Sequence, residues 1–155
     1  MENAVKEIMS THLETIDITE NAQAAAKKMT DKRISSVLVI DGSKSRKDPA
    51  GIVTERDLVN RVCVTGANSK EVSIQEIMSS PIATIEKQAT VETAADLMLS
   101  NKVRHLLVID PEQDGKPIGI IAPSDLNKYL RANIDMDEVN ARILKALQIE
   151  ERGEP

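Results

Sequence analysis

Glu7-Ile8-Met9-Ser10 recurs as Glu76-Ile77-Met78-Ser79, and Leu38-Val39-Ile40-Asp41 recurs as Leu107-Val108-Ile109-Asp110. From 7 to 76 and from 41 to 110 the offset is a constant 69 residues. Between these anchors Thr15-Ile16, Ala25-Ala26 and Met29 return as Thr84-Ile85, Ala94-Ala95 and Met98. Gly51-Ile52 and Asp57-Leu58 return at 119–120 and 125–126, an offset of 68, so the second copy has lost one residue in a connecting loop. A repeat of this length covers a whole folding unit and decides the architecture before any local propensity does. It also means that a site can be formed twice, and that differences between the copies tell which version is intact.

Each copy reads as strand-helix-strand-strand-helix. In the first, a helical turn at 5–9 leads to an extended piece at 13–16. A helix follows at 21–32, where Ala22, Ala25, Ala26 and Met29 recur at helical spacing. A β-branched strand at 34–41, a polar loop at 42–49, a strand at 51–54 and a helix at 55–64 complete the copy, with Leu58, Val59 and Val62 expected on one helix face. The second copy repeats the plan with strands at 82–85, 103–110 and 117–122 and helices at 90–101 and 123–132. Pro123 suits a first helical turn, where its missing N–H costs nothing. The turn after Asp41 or Asp110 makes the last two strands of each copy an antiparallel hairpin. A small sheet with helices on one face cannot bury both faces alone, whereas two such halves packed through their sheets can. The expectation is an α/β (α+β) fold with pseudo-twofold symmetry: repeat one over 1–66, repeat two over 67–132, and a C-terminal helix with a frayed tail over 133–155.

Composition narrows the function. The 155 residues carry a net charge of −5 with acids and bases mixed, one aromatic residue (Tyr129) and one cysteine (Cys63). A nucleic-acid surface would need a basic face and stacking platforms. A single cysteine gives no disulfide framework and fits a reduced, cytoplasmic setting. No signal-peptide pattern opens the chain, and its apolar runs are far too short to span a bilayer. Neither the two histidines nor Cys63 has metal-ligand spacing, and Cys63 is expected to be a small buried or half-buried helix residue. No Ser-His-Asp, Cys-His or paired-carboxylate arrangement supports catalysis.

Both copies place Gly-apolar-apolar-x-x-x-Asp at a strand-to-helix junction: Gly51-Ile52-Val53-Thr54-Glu55-Arg56-Asp57, and Gly119-Ile120-Ile121-Ala122-Pro123-Ser124-Asp125. Thr54 would leave the strand beside a helix N-terminus, which favours an anion, and the Asp57 carboxylate can accept two hydroxyl bonds from a cis-diol. The competing reading is a helix cap.

With the Met-Ser opening and the apolar strand ending in Asp, this junction makes residues 5–130 resemble tandem cystathionine-β-synthase (CBS) domains. The resemblance implies a regulatory module that binds an adenosine-containing ligand in clefts between the repeats. One cleft would combine Ile52, Thr54 and Asp57 with Pro81, Ile82, Val103, Arg104 and His105. The other would combine Ile120, Ala122 and Asp125 with His12, Leu13, Ile34, Ser35 and Ser36. The second departs from the family pattern: Ala122 replaces the Thr/Ser, and Ser35-Ser36 stand where the first has Arg104-His105. The first is therefore expected to hold ribose and phosphate, the second a diol at most. AMP is the foremost expected ligand, ADP and ATP next. S-adenosylmethionine, a related adenosyl thioether, or vestigial clefts in a structural adaptor are the alternatives. Adenine would sit between Ile, Val and backbone. Arg56 is either a second phosphate cation or a partner in a surface salt bridge, and Lys44, Arg46 and Lys47 mark a basic hairpin loop. The resemblance also implies a homodimer formed through the helices, an unidentified protein partner, and contact with neither nucleic acid nor membrane.

Beyond the repeats, Asp135 and Glu138 read as an N-cap and capping box. Met136, Val139, Ile143, Leu144 and Leu147 then form an apolar stripe. This helix docks on its own module, builds the dimer, or awaits a partner.

Overall fold

The computed structural model describes residues 3–45, 48–133 and 135–151. Two three-stranded sheets form its centre. In the first, β1 (Thr15–Asp17) runs parallel to β2 (Ser36–Ile40), which pairs antiparallel with β3 (Gly51–Thr54). In the second, β4 (Thr84–Glu86), β5 (Leu106–Asp110) and β6 (Lys116–Ile121) repeat the order, with a register shift between Val108 and Ile109. The helices are α1 (Ala22–Lys32), α2 (Glu55–Leu58, continued by a π turn over Val59–Cys63), α3 (Ile74–Ile77), α4 (Val91–Ser100), α5 (Pro123–Asn133) and α6 (Met136–Glu151). The long helices start where capping chemistry puts them. Asn21 accepts from Ala24 N at 2.9 Å and Thr90 from Thr93 N at 3.1 Å, each satisfying an orphan N–H.

Strand alternation explains how the halves join. On β2, Val37 and Val39 face the first core while Leu38 faces the other way; on β5, Leu106 and Val108 face the second core while Leu107 does the same. Leu38, Ile52 and Leu107 bury themselves between the two sheets, with Leu13, Ile82, Ile109 and Ile120 packed against them. Each fully buried aliphatic side chain contributes roughly 1.5–3 kcal/mol. The sheet-to-sheet packing expected from the repeat is thus present.

The packed units differ from the sequence repeats in one respect. Val5 lies in the second core, whereas Ile74 and Ile77 lie in the first. Each opening segment crosses to the opposite half: Ser10 exchanges backbone hydrogen bonds with Ile120 (2.9 Å each way), and Ser79 with Ile52 (2.8 and 3.0 Å). This crossing explains the repeated Met-Ser and the repeated glycine together. A Cβ on Gly51 would stand 2.7 Å from Met78 Sδ and 2.9 Å from the Ser79 carbonyl oxygen. On Gly119 it would meet Met9 Sδ and, at 2.9 Å, the Ser10 carbonyl oxygen.

Several expectations change. The helix after β3 does not carry Leu58, Val59 and Val62 on one buried face. After Leu58 it widens to i→i+5 bonding, with Val64 N donating to the Val59 oxygen at 2.9 Å. Val62 is buried while Val59 is 53% exposed. The same widening leaves Cys63 exposed, against the expected burial. Helix α3 was not anticipated as a separate element.

Candidate functional site

The Thr54-Asp57 junction is built as a reciprocal cap. Thr54 N donates to Asp57 Oδ2 at 2.9 Å, the Thr54 hydroxyl donates to the same oxygen at 3.1 Å, and Asp57 N donates back to Thr54 Oγ1 at 3.3 Å. Ser79, delivered by the crossed segment, donates its hydroxyl to Asp57 Oδ1 at 2.9 Å. Arg61 stands 3.6 Å from that oxygen and donates to the carbonyls of Ile77 and Met78 at 2.8 and 2.9 Å. Asp57 is accordingly one of two buried polar or charged residues among those described. Cap and ligand readings of Asp57 are therefore coupled, since a diol has to replace bonds that the carboxylate already makes. The α-helical stretch after Thr54 is four residues long, and the N–H groups of Glu55 and Asp57 go to the Ser35 carbonyl and the Thr54 hydroxyl.

Arg104 and His105 stand immediately before β5. His105 shares a 3.0 Å hydrogen bond between Nε2 and Ser35 Oγ, so residues assigned to different clefts meet between the two repeats. Burial and the neighbouring Arg104 hold the imidazole below its ordinary pKa, while the Asp57 charge pulls it back up. Arg104 and Val103 line a groove of about 530 Å³ together with Arg56. Ile52 and Ile82 close the apolar side between the sheets. Pro81 is exposed and follows a cis peptide bond.

The second junction lacks most of these bonds. Ala122 has no hydroxyl, and Asp125 accepts only from Ala122 N, at 2.8 Å, among the described hydrogen bonds. Burial pushes the Asp125 carboxyl above its ordinary pKa. Its carboxylate is thus less committed than that of Asp57. The rest of this cleft is only partly gathered. Leu13 and Ile120 pack between the sheets, whereas Ile34 packs against the first core. Ser36 lies half-buried at the start of β2. His12 alternates outward and bonds Glu14 Oε1 at 2.6 Å, its side chain 64% exposed.

Sequence reading missed Ser79 and Arg61. Ser79 lay inside the repeated Met-Ser and was recoverable. Arg61 has Tyr129 as its counterpart at the 68-residue offset, so the repeat carried no signal for it.

Comparison with known proteins settles the class. The family model described as CBS domain matches residues 5–63 and 74–132, and the chain belongs to that family. Pairs of such domains generally serve as regulatory modules. An uncharacterised protein of Methanopyrus kandleri is 36% identical over 85% of this chain and 66% of its own length. Among solved structures, a candidate signal-transduction protein with CBS domains from Burkholderia ambifaria is 32% identical. It covers 86% of this chain and 97% of its own, with a TM-score of 0.77. A hexameric CBS-CP12 protein from bloom-forming cyanobacteria is 28% identical over 95% of this chain and 86% of its own, TM-score 0.74. Among the described residues no helix is long and apolar enough to cross a membrane.

Proposed function

We propose that this chain is a non-catalytic regulatory module that binds an adenosine-containing nucleotide where Asp57 of the first repeat meets Arg104 and His105 of the second. AMP is the smallest ligand that uses all three. The ribose diol exchanges for the Thr54 and Ser79 hydroxyls on Asp57, adenine lies among Ile52, Ile82 and backbone, and the phosphate meets Arg104 and His105. What supports this reading is that the Asp57 charge acts on His105 while the adjacent Arg104 lines a groove with Arg56, the neighbour of Asp57. Because the ligand touches both halves, occupancy changes how they pack, and a partner reads the change. Self-association, as a homodimer or larger ring, is supported by exposed apolar side chains on α5 and α6 and by the hexameric neighbour.

A second reading has its own observation. Asp57 is already saturated by internal bonds, as it would be in a structural adaptor whose cleft is vestigial. Thermal unfolding with adenosine, AMP, ATP and S-adenosylmethionine decides between them. A ligand at a hundredfold its dissociation constant adds about 2.7 kcal/mol, a rise of several degrees for AMP. An unmoved transition for all four at millimolar concentration favours the adaptor. A shift for S-adenosylmethionine alone would turn the proposal to an adenosyl-thioether sensor, which has no need of Arg104.

A further inference from the structure

Each half is completed by a strap from the other repeat, and the two straps are not fastened alike. Residues 74–80 of the second repeat lie against the first half. Ile74 and Ile77 are buried in its core, Ser79 exchanges backbone bonds with Ile52, and the Ser80 hydroxyl donates to the Ala50 carbonyl at 3.0 Å. Arg61 adds a clamp: its Nη1 donates to the carbonyls of Ile77 and Met78, the two residues before Ser79, at 2.8 and 2.9 Å. The opposite strap, residues 5–10, has the matching backbone exchange between Ser10 and Ile120 but no such clamp among the described residues. Tyr129 stands where Arg61 would, and among the described residues neither its hydroxyl nor that of Ser10 makes a hydrogen bond. The second half closes without a clamp, so the fold does not require one.

The clamp leads to the Asp57 carboxylate. Ser79, next to the two held carbonyls, donates its hydroxyl to Asp57 Oδ1 at 2.9 Å, and Arg61 itself stands 3.6 Å from that oxygen. At that distance Arg61 makes no hydrogen bond to Asp57. Its donors are committed to the strap, and the carboxylate oxygens are left to hydroxyl and N–H donors. A diol that displaces the Thr54 and Ser79 hydroxyls removes one fastening of the strap. With Arg61 in place the neighbouring carbonyls stay held, so binding exchanges hydroxyl for hydroxyl and the strap does not open. Without Arg61 the strap has to be ordered when the ligand binds, which lowers affinity.

We infer that Arg61 is a positioning residue for a ligand at Asp57: it fixes the strap that carries Ser79, and it does so for the first cleft alone. The inference rests on the proposed nucleotide site and adds the residue that makes one cleft of the pair the preorganised one.

Hydrogen exchange and titration calorimetry of the full chain provide the test, on wild type, Arg61→Met and Arg61→Lys. Methionine keeps an apolar stem and removes the donors, whereas lysine restores a cationic donor without the planar fork. Hydrogen bonds from a charged donor correspond to about ten- to a hundredfold, and the low end applies to a side chain that is 46% exposed. Without ligand, the amides of Met78 and Ser79 should exchange about tenfold faster in Arg61→Met, with those of Met9 and Ser10 unchanged. Adenosine and AMP should both bind about tenfold more weakly and by the same factor, because the fault lies at the ribose end. Arg61→Lys should recover part of both losses. Unfolding curves verify that the variants are folded, and Arg61→Lys carries the same comparison at smaller amplitude should the methionine variant not fold. If only AMP weakens, Arg61 contacts the phosphate and the positioning role is overturned. If exchange accelerates while both affinities hold, the clamp is structural, and the inference fails with the nucleotide site intact. Unchanged exchange at Met78 and Ser79 refutes the clamp outright. If wild type binds neither ligand, the nucleotide reading itself is wrong and the inference falls with it.

Discussion

Asp57 and Asp125 occupy matching positions and behave differently, because Thr54 has Ala122 as its counterpart and Ser10, the counterpart of Ser79, makes no described hydrogen bond to Asp125. Asp57 accepts from Thr54 and Ser79, so Asp57→Asn should lose one of these bonds and destabilise by about 1–2 kcal/mol, a drop of a few degrees in Tm. Asp125 is half-buried with a raised pKa. A carboxyl raised on folding contributes stability below its unfolded pKa of about 3.9, and that contribution is lost as pH rises through the folded value. At neutral pH its charge is a burden, so Asp125→Asn should leave Tm unchanged or raise it. Thermal melts of both variants check the contrast, and equal losses would contradict it. His105 titrates in the opposite sense. Its imidazole is held below the ordinary value, so the unfolded chain takes up the proton first, and stability falls as pH drops below about 6.5 toward the folded pKa. A bound phosphate reverses that bias. AMP affinity should rise as pH falls, in a window below about 6.5, and His105→Gln should flatten the rise in calorimetry at pH 7.5 and 5.5. An unchanged slope in the variant would remove His105 from phosphate contact. At this scale the sequence showed which residue types were present. It did not show their commitments, because the Ser79 bond to Asp57 depends on a segment crossing that no local pattern encodes.

Among the elements, α1, β3 and α4 were legible almost to the residue, since caps and periodicity agree there. The π turn after α2 was not: its i→i+5 bonding follows from tertiary packing, and Val59 and Cys63 turn outward as a result. The glycines that open β3 and lie within β6 carry a sharper test. Gly51→Ala would press a Cβ against Met78 and the Ser79 carbonyl. The cost should be about 1–3 kcal/mol, visible as lost Tm, and an unaffected variant would mean that the crossed segment yields freely. Helix α6 shows a mixed outcome. Asp135 caps it as expected, accepting from Asp137 N at 2.9 Å and Glu138 N at 3.2 Å, but Glu138 pairs with Arg142 instead of returning to the cap. Its apolar stripe stays partly uncovered: Val139, Ile143, Leu144 and Leu147 are 36–60% exposed. The side chain of Met136, residues 152–155 of the expected frayed tail, and Arg46 and Lys47 of the hairpin loop lie outside the described residues. Truncation after Asn133 should therefore leave the melting of the module within about a degree while lowering the mass measured by light scattering. A fall in Tm without a change in mass would return α6 to its own module.

For the whole molecule, the repeat made the architecture legible, including the packing of two sheets through Leu38, Ile52 and Leu107. It hid the exchange of opening segments, because a repeat specifies what each copy contains and not which copy it completes. That exchange bears on function. Ser79 of the second repeat joins Asp57 of the first, and His105 meets Ser35 between the repeats, so a ligand at this junction would touch both repeats. Hydrogen exchange with and without AMP tests that claim most directly. The account predicts slowed exchange confined to residues 51–57, 79–82 and 103–107, drawn from both repeats at once. Protection confined to one repeat, or located on α1 and the outer edge of the first sheet, would contradict it.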